Sequence, residues 1–519
     1  MHALAHAGFG CGEWVRRGRA LRVQAFLAAS ALVVPLAACT VGPNYTREAA
    51  PVSPQFKELK GWKVATPRDQ LDRGNWWAAY RDAKLALLLR QVEISNQTVA
   101  ASAAAYEQAR ALIREAQAAL LPTVTGSYTY NRTRTGPKAG GGSSVVTGAG
   151  TTTGGDRGGA SYSTTYTAQA SGNWTIDIWG KVRRQIESNV AATQVSAADL
   201  DNAKLAAQAQ LAIAYFNLRA TDSLRDLLAR TVAEYKRTLE ITQNQYNAGV
   251  VSRADVITAQ TQVLTVEAQL INVGVQRAAF EHAIAVLTGR PPAELTITPH
   301  LLGGSIPKIP VVLPSTLLER RPDIAASERA MQEQNALIGV AVAAYYPDIS
   351  LSGLAEFIGR NPLPFSTPHL VWSLGAAATD ELFDGGLRGA QVDAARAAYW
   401  ESVANYRQTV LTAFQQVEDQ LAAIHILSQQ LGVERQAVRA AREAVDVYLN
   451  QYRAGTVSFT TVVTAEATLL QDEEAELTVR QNLFLASVSL IEAVGGGWDT
   501  TLLPTQNELE SGFSLLPQL

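Results

Sequence analysis

The side chain best placed to do chemistry in this chain is the thiol of Cys39. It follows Leu36-Ala37-Ala38, and small residues ahead of a cysteine let the lipoprotein signal peptidase act once the thiol carries diacylglycerol. Arg16, Arg17, Arg19 and Arg22 supply a positive leader, and Ala25 to Ala38 is apolar but too short to span a bilayer. Residues 1–38 therefore read as a signal peptide and Cys39 as a lipid-anchored N-terminus. Thr40 follows it instead of the aspartate that retains bacterial lipoproteins in the inner membrane, so outer-membrane sorting is expected. The second cysteine, Cys11, leaves with the leader, which removes any disulfide or thiol-based metal site.

Nothing else supports catalysis, so no enzyme, cofactor or metal centre is expected. His2, His6, His282, His300, His369 and His425 lack ligand spacing. The Gly-rich run Gly140 to Gly159 lacks the Lys-Ser/Thr helix start of a phosphate loop, and no nucleophile motif or paired catalytic carboxylate stands out. Arg320, Arg321 and Asp323 could form an ionic site. The structural reading is stronger: Pro322 opens a helix, Asp323 sits in its first turn, and the arginines are solvated or pair between protomers. Charged residues make up 18% of the chain and the net charge is -3, without the basic face that nucleic acid requires.

What positions these residues is a duplication. Ala100 to Pro122 matches Ala325 to Pro347 at an offset of 225, with 11 identities in 23, and Gln-Tyr-x-Ala-Gly-x-Val-Ser recurs at Gln245 and Gln451, an offset of 206. Each copy predicts the same order of elements. An Ala-rich helix, Leu85 to Leu120 or Ser315 to Tyr346, is stopped by Pro122 or Pro347. A period-2 hairpin follows, 122–179 or 348–383, with one apolar and one Ser/Thr/Asn-rich face. Gly turns then open intervals of 69 residues, Gly180 to Gly249 and Gly386 to Gly455, each about 100 Å long as helix. Return helices 252–288 and 458–494 complete the repeats, which span 76–298 and 299–498. An extended tether, 39–75, precedes them and a tail, 499–519, follows.

No segment has 18 consecutive apolar residues, so a membrane would have to be crossed by strands. Four strands cannot close, because open edges are not tolerated in hydrocarbon. Two copies would give a filled barrel of about eight strands and three would give about twelve around an aqueous lumen. The Ser/Thr/Asn faces would line that lumen, while Tyr128, Tyr130, Trp174 and Trp372 suit the membrane interface. The expected architecture is mostly α with a membrane β part: a barrel continuous with a periplasmic helical barrel.

These motifs are similar to those of the TolC-like outer-membrane factors, in the lipoprotein branch of drug-efflux outlets. The resemblance rests on Cys39-Thr40-Val41-Gly42-Pro43-Asn44-Tyr45, Trp76-Trp77, Leu313-Pro314-Ser315, Leu318 to Ile324, Tyr346-Pro347, Leu382 to Gly386 and the two Tyr-x-Ala-Gly turns. It implies a homotrimer with a twelve-stranded barrel in outer-membrane lipid, docking by its periplasmic tip on an adaptor and an inner-membrane pump. The implied function is passive export of drugs or other small molecules. A type I protein-secretion outlet would use the same scaffold, and a periplasmic adaptor lipoprotein is the alternative from another class. Gly249 and Gly455 mark the tip on this topology. Family members commonly place an acidic ring after the second turn, where this chain has Thr461 and Thr464. Asp255, equivalent to Thr461, carries charge in the first repeat.

Overall fold

Proline and glycine punctuate the chain where its elements end. The computed structural model describes residues 40–50, 55–58, 75–135, 161–304, 306–307 and 319–511. After a short 3-10 turn (Trp76–Tyr80) come α1 (Ala83–Ser95), α2 (Gln97–Ala118), β1 (Thr123–Thr135) and β2 (Ser161–Ile176). The first repeat continues with α3 (Lys181–Asn247) and α4 (Arg253–Leu287). The second comprises α5 (Pro322–Ala343), β3 (Asp348–Gly359), β4 (Leu370–Thr379), α6 (Leu387–Arg453) and α7 (Phe459–Ala493), and α8 (Gln506–Glu510) closes the described chain. Cys39 and the leader, the loop Gly140 to Gly159 and the stretch Leu313 to Leu318 lie outside the described residues.

The two long helices have 67 residues each, about 100 Å of rise. Both start on a left-handed glycine, Gly180 (φ 80°) and Gly386 (φ 91°). Ahead of each an aspartate satisfies the free N–H groups of the first turn. Asp177 accepts from the backbone of Val182 and Arg183, and Asp384 from that of Gly386 and Arg388. The arginine of each pair also closes on its aspartate, at 3.2 Å for Arg183 and 2.7 Å for Arg388. Arg388 further holds the carbonyl of Glu381 and the carboxylate of Asp380. That fold-back ends β4 at Thr379 and leaves Leu382 and Phe383 exposed, short of the hairpin end at 383 that the alternation suggested.

The first Ala-rich helix is broken where an unbroken one was expected. Asn96 leaves helical geometry (φ -68°, ψ 124°), and its side-chain oxygen accepts from the N–H groups of Thr98 and Val99, which makes it the cap of α2. Its amide nitrogen donates to the Leu287 carbonyl at 2.8 Å. Arg321, 225 residues on, does the same job: its guanidinium donates to the Ala493 carbonyl at 2.8 Å, and Ala493 lies 206 residues beyond Leu287. Arg321 is thus buried and bidentate to Asp323 within one chain, which corrects the solvated or interprotomer role. The glycines beside these carbonyl groups repeat as well. Gly289 and Gly495 have positive φ, and an added Cβ would lie 2.0 Å from the Ser95 oxygen and 1.8 Å from the Arg320 oxygen, respectively.

The four strands form one antiparallel sheet in chain order. Register puts Val124, Tyr128, Tyr130, Tyr166, Ala168, Trp174, Leu351, Phe357, Leu370, Trp372 and Leu374 on one face. Thr125, Ser127, Thr129, Thr167, Gln169, Ser171, Ser352, Glu356 and Ser373 share the other. Strands β1 and β4 are the free edges.

Below the sheet α2, α3, α5 and α6 pack side by side, and farther along α4 pairs with α3 and α7 with α6. The main core lies midway, where Trp77, Tyr80, Leu85, Leu89, Tyr215, Phe216, Leu421 and Phe484 join both repeats. The Phe216 ring stands 5.0 Å from Tyr80 and 4.9 Å from Phe484. The described part of the tether is strapped to the body. Val41 donates to the Trp179 carbonyl, Arg184 to Val41 and Asn44, and Asn335 to Pro43. Farther along, Tyr45 meets Glu328, and Glu48 meets Tyr399 and Arg407. No helix among the described residues is long and apolar enough to cross a membrane.

Candidate functional site

At the end of the long helices remote from the sheet, the turn glycines do what the sequence asks. Gly249 and Gly455 both have φ 74°, and nothing stands within 4 Å of where a Cβ would be. Glycine is needed there for the left-handed stop, not for space. Each turn closes with paired bonds: Gly249 donates to the Tyr246 carbonyl and Val250 to Gln245, while Gly455 donates to Tyr452 and Thr456 to Gln451. The two tips pack on each other through a small cluster of Ala259, Tyr452, Phe459 and Val462, with Leu239 and Val251 against it. One chain therefore presents both hairpin ends as a single surface.

After the turns the repeats diverge. Asp255 forms a capping box: its carboxylate accepts from the Ser252 N–H at 3.1 Å and the Ser252 hydroxyl at 2.9 Å. The carboxylate sits in the first turn of α4, where negative charge is favoured. In the second repeat Thr461 offers only a hydroxyl, 3.2 Å from that of Ser458, and the Thr464 hydroxyl is turned back to the Thr460 carbonyl at 2.9 Å. The second tip thus carries no carboxylate at either position.

Two residues beyond Thr464 on α7 is a carboxylate that pattern reading passed over. Glu466 is only 9% exposed, and one oxygen accepts the Thr238 hydroxyl of α3 at 2.9 Å. Burial pushes its pKa up to about 7, nearby Glu234 adds to the rise, and the Thr238 hydrogen bond opposes it. The signal was its place on the helix, one residue after buried Ala465 and four after buried Val462.

Of the four candidate interface aromatics, register places all on the apolar face. Tyr128, Tyr130 and Trp372 are exposed, whereas Trp174 is half-buried and donates its indole N–H to the Leu120 carbonyl at 2.9 Å. Tyr166, outside that set, bridges two of them, with its ring 5.0 Å from Tyr130 and 6.4 Å from Tyr128. At the sheet's helical end Thr40 touches Gly180, where an added Cβ would come within 2.8 Å of its methyl group. The residue that follows Cys39 is thereby fixed at the strand-to-helix junction.

A family model described as outer membrane efflux protein matches residues 88–290 and 313–496. A probable efflux pump outer membrane protein, TtgC of Pseudomonas putida, is 28% identical over 468 residues, covering 89% of this chain and 93% of that protein. The pyoverdine export outer membrane protein OpmQ of Pseudomonas aeruginosa is 27% identical over 455 residues, 87% of this chain and 94% of that one. Among solved structures, the outer-membrane channel OprN superposes with a TM-score of 0.79 at 27% identity, covering 89% of this chain and 100% of that chain.

Proposed function

This chain belongs to the outer membrane efflux protein family and is an outer-membrane channel component of a bacterial efflux or secretion system, without catalytic activity; on that premise we propose how it forms and uses its channel. Three copies close a twelve-stranded barrel by pairing β4 of one with β1 of the next. The Ser/Thr-rich face lines the lumen and the aromatic face meets lipid. The observation that carries this is the sheet itself: two free edges and two chemically distinct faces, joined to helices on the same chain. An open sheet in hydrocarbon leaves backbone groups unpaired, and closure by other copies removes that cost.

Family membership implies a periplasmic adaptor and an inner-membrane pump as partners. The tip made by Gly249, Asp255, Gly455, Thr461 and Thr464 is the surface that docks them and opens. Cys39, acylated, anchors the chain in the inner leaflet of the outer membrane, and the protein sits in that membrane with its helices in the periplasm. The cargo is small molecules, in line with the efflux and pyoverdine-export roles of the relatives. Protein secretion is the second outlet role this scaffold fits, and the family match sets aside the adaptor reading. Detergent-extracted protein should run as a trimer and conduct in planar bilayers; a monomeric, nonconducting product would overturn the assignment.

A further inference from the structure

The far end of the β1–β2 hairpin carries two cations, Arg132 and Arg134, with no carboxylate partner among the described residues. Arg132 and Arg134 alternate with Thr133 along β1, so both side chains share the face of Tyr128, Tyr130 and Tyr166. Opposite Arg134 is Tyr162, and both guanidinium groups lie against its ring, at 5.3 Å for Arg132 and 5.7 Å for Arg134. Such cation–π contacts hold a guanidinium in place while leaving its N–H fork free. Strands β1 and β2 contain no Asp or Glu. Both arginines are exposed, and neither forms an ion pair among the described residues.

Their height decides what they meet. From Thr123, at the helical end, nine residues of strand rise about 30 Å, and a tilt of roughly 40° reduces that to about 23 Å. The apolar band of a membrane barrel is about 25 Å tall. Arg132 and Arg134 therefore stand at its upper rim, just above the Tyr128, Tyr130 and Tyr166 girdle, on the side that faces lipid. Headgroups of the outer leaflet are the molecules at that level. A guanidinium fork matches phosphate oxygens two at a time, and a zwitterionic headgroup already carries its own cation. Two fixed positive charges call for a headgroup with net negative charge.

We infer that Arg132 and Arg134, braced on Tyr162, form a docking site for the phosphorylated headgroup of an outer-leaflet glycolipid. The inference rests on the channel reading, because it needs the aromatic face to be the lipid face. One such site per protomer would ring the barrel, tying its outer rim to the surrounding leaflet.

Native mass spectrometry of the full-length protein in neutral detergent tests it, with diphosphorylated lipid A, its dephosphorylated form and phosphatidylethanolamine as probes. The wild type should retain diphosphorylated lipid A in preference to the other two. The Arg132→Gln/Arg134→Gln double variant should lose that retention by roughly tenfold or more, and Arg132→Lys/Arg134→Lys should keep part of it. Equal retention by wild type and the Gln variant, or no preference for the phosphorylated lipid, would overturn the site. Bilayer conductance of the same samples separates the premises. If the wild type conducts while lipid retention ignores the substitutions, only the lipid site fails. If the wild type neither trimerises nor conducts, the channel reading fails and takes the site with it.

Discussion

The Thr238 hydroxyl donates a 2.9 Å hydrogen bond to the Glu466 carboxylate, and that bond crosses from the first repeat to the second. No cation shares the site among the described residues, so the ionised form is held by one hydroxyl and opposed by burial. The folded pKa of about 7 stands above the ordinary 4.5. A group raised in this way contributes stability that is fully present below its unfolded pKa and lost as pH rises through the folded one. The unfolding free energy should therefore fall between about pH 5 and 8, by on the order of 2 kcal/mol. Glu466→Gln should flatten that slope in urea titrations at several pH values. An unchanged slope would place the titrating group elsewhere.

Gly495 and Gly289 should be intolerant of any side chain. In both, φ is positive and the Cβ position collides with a backbone oxygen that cannot swing away. Gly495→Ala should cost several kcal/mol, above the usual 0.5–3 kcal/mol for a single substitution. Gly432, inside α6 with nothing within 4 Å, is the contrast. There the same change should be neutral or stabilise by roughly 0.5–1 kcal/mol. Thermal melts of the three variants would check the order.

With Thr461 and Thr464 where acidic residues are common in this family, divalent cations should block conductance weakly. Introducing Thr461→Asp and Thr464→Asp together should strengthen block by restoring a ring of carboxylates in the assembled channel. Asp255→Asn should leave block nearly unchanged but remove part of the capping box, costing about 1 kcal/mol. Planar-bilayer recordings with added divalent cation and melts of the same proteins distinguish the two effects.

Cys39→Ser should abolish incorporation of labelled palmitate while leaving the barrel able to assemble. The body has its own contacts with the following segment, from Val41 on Trp179 to Glu48 on Arg407. Metabolic labelling followed by native gels reads both outcomes. Loss of trimer in the variant would mean that the lipid is needed for folding as well as for anchoring.

The repeat, the long helices and the two-faced strands were legible because each leaves a local periodic mark. The break at Asn96 was not, since asparagine inside an apolar pattern reads equally as a tolerated interior residue or as a cap. Arg321 looked solvated because the carbonyl it serves is 172 residues away in sequence. The offset of 225 nonetheless contained the answer, as it sets Arg321 on Asn96, two unlike donors in one role. The strapped tether could not be read at all: Pro43, Tyr45 and Glu48 find partners on α5 and α6 that follow no spacing rule.

The free edges of the sheet have a consequence for inheritance of defects. Every residue of β4 is exposed, as is β1 from Thr123 to Arg134, so each protomer closes the ring only by lending an edge to each neighbour. One subunit with a proline in β1 at a seam-facing position would lack the N–H that a carbonyl of the neighbouring β4 needs, a gap its sound partners cannot fill. In a cell making both versions at equal levels, only ring assemblies drawn entirely from the sound pool would insert. Damage at either edge would therefore act dominantly, and an equal share of faulty chains would silence most of the channels.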